Sequence, residues 1–563
     1  MMDAVDSSPG GSSNTVSPPP RVDCLILGGG ITGAGVARDA SLRGISTLLI
    51  DSHDFASGTS HLTSKLIHGG LRYLEHCHFR LVIEGLTERN RLMNDLAPHL
   101  VFPLRFIIPF ESRRWPKWLL TVSGLQLYGF SEWFRHGRRS VPFFRPGLRR
   151  ELPLLEPHPL GVSFWDAQTN DARLVMAVLR TAESNGAILS NYTHILSAQF
   201  TEGEWVVRLA SEASGAEWTC RAKSIVNATG PWSPLTADQL GAESPPLMWI
   251  KGSHLLLKTP REFGSDAIII RSVRNLRPLW VIPWENRLIV GSTESPYRGD
   301  LRNVRPSPEE IDDLFESFRR YFPAAGMERS DIRCVYAGVR PIVEQQGESE
   351  NELSRRHETV VDQERRIITV LGGKLTTFRA MAEQAIDQVE RFLDRNTSAH
   401  VRGRIRRDAL WPHQTGVSAG GTGNGRLVHG QSRSETADRL RGLYGPDADS
   451  ILRRMADRPD LGIPLFDDLP HTPAELENLA RTEHVVHLLD LVKRRTPLYF
   501  LADRELVDAT PTILDCVAPI LGWGADRREQ EHAAVEEELR ADCAAIHAIT
   551  PETLPRIGIP SYA

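Results

Sequence analysis

The sequence predicts an α/β (α+β) chain with a Rossmann-like domain, an antiparallel-sheet domain and an all-helical C-terminal domain. Three observations predict it. A strand, a glycine-rich turn, a helix and a second strand follow one another between Val22 and Asp51. Strand and turn alternate at short intervals from Met248 to Pro296. Beyond about residue 429 strand signals almost vanish. The length of 563 residues suits two or three domains, and 41% hydrophobic with 24% charged residues suits a soluble globular protein. A net charge of −5 gives no overall basic field, so no nucleic-acid partner is expected. The six cysteines are scattered without a C-x-x-C pair. Neither a zinc site nor a disulfide framework is indicated, no metal is expected, and a reducing cytosol fits. No run is long and apolar enough to cross a bilayer. Residues 1–20 are rich in Ser, Pro and Gly and lack an apolar core, so they read as a disordered tail rather than a secretion signal.

In the first unit, Val22–Leu27 is an apolar strand, and Gly28, Gly30 and Gly33 fill G-x-G-x-x-G positions, with Gly35 extending the set. A helical pattern (Ala34, Val36, Ala37, Ala40, Leu42) ends near Gly44, and the strand Ser46–Ile50 runs into Asp51. The glycines differ in what they allow. Gly28 permits the tight turn, Gly30 the approach of a pyrophosphate, and Gly33 close helix–strand packing. The helix N-terminus offers N–H groups and a positive dipole end to phosphate. Asp51 suits a ribose diol. A bound dinucleotide is therefore predicted; the alternative is a structural glycine turn in an unrelated α/β unit.

After a polar loop from Ser52 to Ser64, the turn His68–Gly69–Gly70 precedes a helix over Arg80–Leu96, ended by Pro98. Glycines there allow close approach to a flat ligand, although His68 by residue type is also an ordinary loop histidine. Trp115, Trp118 and Trp133 then interleave with Arg113, Arg114, Lys117, Arg135, Arg138 and Arg139 around an apolar segment, Leu119–Phe130. Two readings fit: a membrane-surface segment with rings at headgroup depth, or a core helix with a basic rim. Phe143–Gly161 is Pro-rich and reads as an irregular connection, and Asp171–Ala187 as an amphipathic helix. Strand-like runs at Ser190–Thr201, Trp205–Leu209 and Ser224–Asn227 lead to the small-residue turn Ala228–Thr229–Gly230. The sheet at 248–296 is the expected floor or lid of a substrate cavity. Pro308–Tyr321 reads as helix, Cys334–Pro341 as strand and turn with Arg340 in the turn, and Arg366–Val370 as a last strand. The Gly372–Gly373 turn before the next helix is a second place for exposed N–H groups. Helices follow at Ser434–Tyr444, Asp449–Ala456, Pro473–Thr482, His484–Arg494 and Asp526–Ile546.

The segments GGGITGAGVARDAS, TSKLIHGGLRYLE, NDARLVMA, VNATGPW, IKGSHLLL, AGVRP and LGGKLTTFR occur in one order. Together they resemble the FAD-dependent, quinone-linked (aerobic) glycerol-3-phosphate dehydrogenases, flavoproteins of glutathione-reductase type with a D-amino-acid-oxidase-like substrate domain. The resemblance is dense over Val22–Glu383 and weaker beyond, where HLLDLVKRRTPL (His487–Leu498) resembles the family's Arg-rich helix. It implies an FAD-dependent oxidoreductase region at 21–405, with FAD-binding parts at about 21–100, 160–235 and 335–395 and substrate-domain parts at about 101–159 and 236–334. A linker at 406–428 and a helical domain at 429–550 complete the chain.

The resemblance implies oxidation of sn-glycerol 3-phosphate at C2 to dihydroxyacetone phosphate, with hydride transfer to FAD and electrons passed to a quinone. It implies FAD contacts from Gly28, Gly30, Ile31, Thr32, Gly33, Asp51, Ser60, Ser64, Lys65, Leu66, His68, Gly69, Gly70, Ala228, Thr229, Gly230, Gly373, Lys374, Leu375 and Thr376. Arg340 matches the substrate-binding arginine, Arg355 or its neighbour Arg356 a second, and Arg72, Tyr73 and Lys374 line the same pocket. Arginine suits a phosphate monoester through its planar fork. His254 matches a pocket histidine, either the base for the C2 hydroxyl or an orienting group; with Arg340 and Lys374 it makes the catalytic set. Two departures are mild: Thr32 stands where the family often has Asn, and Asp51 where it often has Glu. The implied setting is the cytoplasm, on the inner face of the cytoplasmic membrane, with a homodimer left open. A soluble oxygen-using oxidase of the same substrate, an amine or amino-acid oxidase of the same superfold, and a non-catalytic FAD-binding regulator are the competing readings.

Overall fold

The computed structural model describes residues 19–71, 78–110, 115–136, 138–344, 357–411 and 433–547. The tail up to residue 18, Arg72, Tyr73, Arg113, Arg114, Arg355, Arg356 and residues 412–428 of the expected linker lie outside them, as do the side chains of Trp115 and Trp133.

The first sheet grows from the strand Arg21–Leu27, whose Cys24, Leu25 and Ile26 are wholly buried. Apolar on both faces, it suits a parallel strand covered on each side. It pairs in parallel with Thr47–Ile50 and with Glu217–Asn227. Ile188–Ser190 and Ile367–Gly372 extend the sheet in parallel, and His357–Asp362 closes one edge antiparallel. The helices Ile31–Leu42, Asp171–Ser184 and Phe378–Phe392 pack one face through Ala34, Ala37, Val175, Leu179 and Ile386. The hairpin Thr193–Thr201/Glu204–Ser211 covers the other, with Trp205, Val207 and Leu209 against Leu25 and Ile225. Burying each such side chain is worth about 1.5–3 kcal/mol. Asn170 fixes one helix start, its Oδ1 accepting from the Arg173 N–H at 3.2 Å.

The second sheet is built on the antiparallel pair Leu247–Lys258 and Ile332–Val343. Register puts His254 opposite Tyr336, Gly252 opposite Gly338 and Ile250 opposite Arg340, so these six residues share one face. Arg287–Gly291, Pro278–Trp284, Ala267–Arg271, Val101–Phe110 and Leu160–Thr169 continue the sheet. Helix Pro308–Tyr321 starts with a capping box between Ser307 and Glu310.

Three expectations are corrected. Phe143–Gly161 is not irregular: it holds the short strand Pro142–Phe144, the helix Arg145–Glu151 and the start of Leu160–Thr169. Arg340 lies within a twelve-residue strand, not a turn. The C-terminal region contains an unforeseen helix, Glu505–Leu521, with Pro511 and Pro519 inside it. The C-terminal helices share an apolar cluster with the second sheet: Leu476, Leu488 and Phe500 join Phe106, Trp284 and Tyr336.

Candidate active site

A cavity of about 860 Å³ lies where the first sheet, the second sheet and the C-terminal helices meet. Ligand sites span about 300–1,000 Å³, so this one suits an extended ligand. Its first wall is the glycine turn. Gly28 has φ +101°, and a Cβ there would lie 2.7 Å from the Ala228 carbonyl oxygen. A Cβ at Gly33 would lie 1.8 Å from the Gly28 carbonyl oxygen. The N-cap Gly30 of the helix Ile31–Leu42 supplies no side-chain cap and the helix's first turn holds no acidic residue, so no acid of the helix itself competes there with a phosphate. Ile31 N–H donates to Ser60 Oγ at 3.0 Å, which ties the following loop to this turn.

Asp51 closes the far end. Its carboxylate accepts from Gly29 N–H at 2.6 Å and His53 N–H at 2.8 Å. Burial pushes its pKa up to about 7 from an ordinary 3.8, against the pull of those two N–H groups. Ribose hydroxyls donating to it would favour the charged form. A cradle without room for Cβ atoms, an open helix start and an acid at the second strand end fit a dinucleotide.

Of the residues expected at the cofactor, Gly28, Gly30, Ile31, Thr32, Asp51, Ser60, Ala228, Thr229, Gly230, Gly373, Lys374 and Leu375 line this cavity. Gly33 lies behind the turn it makes possible. Thr376 stands off the wall and pins the neighbouring loop: its Oγ1 accepts from His68 N–H at 3.1 Å and donates to the His68 carbonyl at 3.2 Å. Gly69 N–H donates to Asp166, which is held by Arg89 at 2.6 Å and Tyr128 at 2.9 Å. Gly70, at φ +84°, continues that loop, and Leu66 pairs with Gln168. The Lys65 side chain is held within the protein. Its ammonium is buried, paired with Asp171 and donating to the His61 carbonyl, each at 2.6 Å. A buried ammonium requires such partners, and Lys65, which is not itself part of the lining, lies near the rings of Trp284, Tyr336 and Phe500, the last two of which are.

Arg340 donates from Nη2 to Ser292 Oγ at 2.7 Å and from Nη1 to Glu294 at 3.3 Å, and remains 30% exposed. Gly252 leaves it room, since a Cβ there would sit 3.1 Å from Nη2. Two strand positions away, His254 stacks on Tyr336 at 4.7 Å and shares a 2.8 Å hydrogen bond with Ser64 Oγ through Nε2. Its Nδ1 has no hydrogen-bond partner among the described residues. Burial, then the charges of Arg340 and Lys65, hold its pKa well below the ordinary range, so the ring is neutral. Arg340 and His254 thus share a strand face beside the cavity, whose lining takes their neighbours Thr63, Tyr336, Val339 and Pro341 rather than Arg340, His254 or Ser64 themselves.

Several lining residues had no signal in the sequence, among them Tyr192, Arg305, Tyr499 and Glu538. They come from loops and helices that only tertiary packing brings to the cavity.

The fold and this cavity define an oxidoreductase of flavoprotein type. The family model "FAD dependent oxidoreductase" matches residues 23–388, and "C-terminal domain of alpha-glycerophosphate oxidase" matches residues 369–528. The chain is 31% identical over 546 residues to glycerol-3-phosphate dehydrogenase 2 of Mycobacterium tuberculosis, covering 93% of this chain and 88% of that one. It is 35% identical over 382 residues to D-erythritol 1-phosphate dehydrogenase of Brucella abortus, covering 66% and 74%. The crystal structure of the Bacillus halodurans glycerol-3-phosphate dehydrogenase complexed with FAD superposes with a TM-score of 0.73 at 25% identity, covering 94% of this chain and 97% of that one. The chain belongs to the FAD-dependent glycerol-3-phosphate dehydrogenase family, and FAD is its cofactor.

Proposed function

We propose that the protein oxidises sn-glycerol 3-phosphate at C2 to dihydroxyacetone phosphate. Bound FAD supplies the hydride acceptor, held by Gly28–Thr32, Asp51, Ser60, Ala228–Gly230 and Gly373–Leu375. The observation that carries the reading is Arg340, a guanidinium fixed by Ser292 and Glu294 on the strand face it shares with His254. A fixed fork meets a phosphate monoester with two aligned donors. Lys374, in extended backbone ahead of the helix Phe378–Phe392, adds a second cation; Arg72, Tyr73 and one of Arg355 or Arg356 complete the proposed pocket. His254 takes the C2 hydroxyl proton by way of Ser64, which accepts it on Oγ as its own proton passes to Nε2. The domain boundaries given above are part of the same proposal, except that Leu160–Thr169 and Ile332–Val343 belong with the second sheet in which they pair, not with the FAD-binding parts.

Electrons then pass to a quinone at the inner face of the cytoplasmic membrane. Exposed apolar side chains support a membrane-facing surface: Leu119 and Leu120 on helix Trp115–His136 are 59% and 75% exposed, and Ile83 on the preceding helix 64%. No helix among the described residues is long and apolar enough to cross a membrane, so contact would be peripheral. A soluble oxidase is the second reading, and a homodimer stays compatible with either. Incubation with sn-glycerol 3-phosphate or erythritol 1-phosphate and either a short-chain quinone or oxygen separates them. Dihydroxyacetone phosphate with quinol supports the proposal. Peroxide at an equal rate moves the acceptor to oxygen, and faster turnover of the four-carbon phosphate moves the substrate. Flotation with anionic vesicles tests the surface; loss of binding in Leu120→Asp is expected.

A further inference from the structure

We propose that the segment Tyr297–Pro306 is a strap that the C-terminal region clasps shut over the FAD cavity, with Arg305 as its latch. The strap leaves the second sheet at Ser295–Pro296, which pairs with Ile250 and Lys251. It shapes itself locally: Tyr297 N–H donates to the Trp249 carbonyl at 2.8 Å, and Arg302 N–H donates to Asp300 at 2.9 Å. It ends at Ser307, which caps the next helix. Residues 301–306 line the same cavity as Gly28 and Asp51. The opposite wall is one face of the helix Ala525–His547, presenting Glu531, Ala534, Glu538 and Asp542 at helical spacing.

Arg305 joins the two walls. It donates to Glu538 at 2.8 Å and to Asp542, while its Nε donates to Asn303 within the strap. The acceptors are held in turn: Lys493 pairs with Glu538, and Tyr499 donates to Asp542 at 2.6 Å. Behind the strap, Lys251 donates to the Arg305 carbonyl at 3.2 Å and pairs with Glu310 at 2.9 Å. The arginine and both acids are 27%, 30% and 11% exposed. The latch therefore lies between an exposed surface pair, which holds little, and a sealed one. A dinucleotide on the glycine turn cannot leave on this side unless the strap parts from the helix. The C-terminal region thereby retains the cofactor, whichever alcohol the enzyme oxidises.

The test is the rate at which purified holoenzyme releases FAD into flavin-free buffer, followed by the rise in flavin fluorescence. Arg305→Ala should release FAD about ten-fold faster, the change expected for losing a charge-assisted contact of about 1.4 kcal/mol. Glu538→Gln, which keeps the Asp542 contact, should fall between. Added salt should speed release from the parent protein and leave Arg305→Ala nearly unmoved. A merely structural arginine would lower the melting temperature without this salt signature. Should Arg305→Ala fail to fold, Glu538→Gln and the salt series decide alone. Release within two-fold of the parent in the folded variants, with salt acting equally on all, overturns the proposal.

Discussion

Asp51 shows how one side chain couples cofactor and proton. In the folded chain its carboxyl holds a proton up to about pH 7, where an unfolded aspartate loses it near 3.8. A raised acid pKa means that stability falls as pH rises through that interval. Ribose hydroxyls stabilise the carboxylate, so FAD binding should expel the proton. Affinity of the apo-protein for FAD should then climb between pH 5 and pH 7, by up to about ten-fold per unit, and level off above. Asp51→Asn should remove that slope; flavin titrations at pH 5, 6, 7 and 8 check it, and an equal slope in both proteins would remove Asp51 from the site. On the strand face beside the pocket, Arg340→Ala should raise KM for the phosphorylated substrate by about one to two orders of magnitude, the worth of a charge-assisted contact. Flavin content should stay unchanged. Initial-rate kinetics with flavin absorbance read both, and unchanged kinetics would exclude Arg340 from the site.

Among the elements, those with a local physical cause were legible. The glycine turn is one: Gly33 faces the Gly28 carbonyl so closely that Gly33→Ala must force the strand and helix apart. Purified Gly33→Ala should carry no flavin and melt well below the parent; retention of the yellow cofactor would contradict this. The helix Pro308–Tyr321 was legible from its helical pattern, and the structure adds the capping box of Ser307 and Glu310. Leu160–Thr169 was not, because prolines precede it and both its faces are buried, so no alternation marks it as a strand. Glu505–Leu521 was hidden by Pro511 and Pro519, which read as breakers although the surrounding helices hold it. Arg340 carried a motif but not its geometry: its neighbour Pro341 suggested a turn, and only the pairing with Leu247–Lys258 makes it a strand residue.

At the scale of the whole molecule, the C-terminal region is locked to the first sheet by Asp54. Both its oxygens accept from Arg495, at 2.6 and 2.7 Å, and Arg494 donates to it as well, across about 440 residues of sequence. No spacing rule reaches that far, which is why this junction, and the share of the cavity wall it brings, could not be read from the chain. Burial would raise the Asp54 pKa, but the charges of Arg495 and Arg494 outweigh it and hold the carboxyl well below the usual 3.8. A depressed pKa gives stability that is complete above the unfolded value and lost as pH falls below it. The melting temperature should therefore drop steeply below about pH 4. Asp54→Ala, which leaves buried Arg495 with backbone carbonyls alone and Arg494 with Asp490 as its one carboxylate partner here, should cost about 3–5 kcal/mol at pH 7 and flatten the acid limb of the profile. Thermal melts of both proteins from pH 3 to pH 8 check this.

The central claim is that this cavity holds FAD where a phosphorylated polyol can reduce it. The most direct measurement is the visible spectrum of the purified protein under anaerobic conditions, before and after sn-glycerol 3-phosphate is added. Bleaching of the oxidised flavin band, absent with glycerol and lost in Arg340→Ala at the same substrate concentration, is the predicted result. A flavin that is present but stays oxidised would contradict the account and favour an amine substrate or a non-catalytic role.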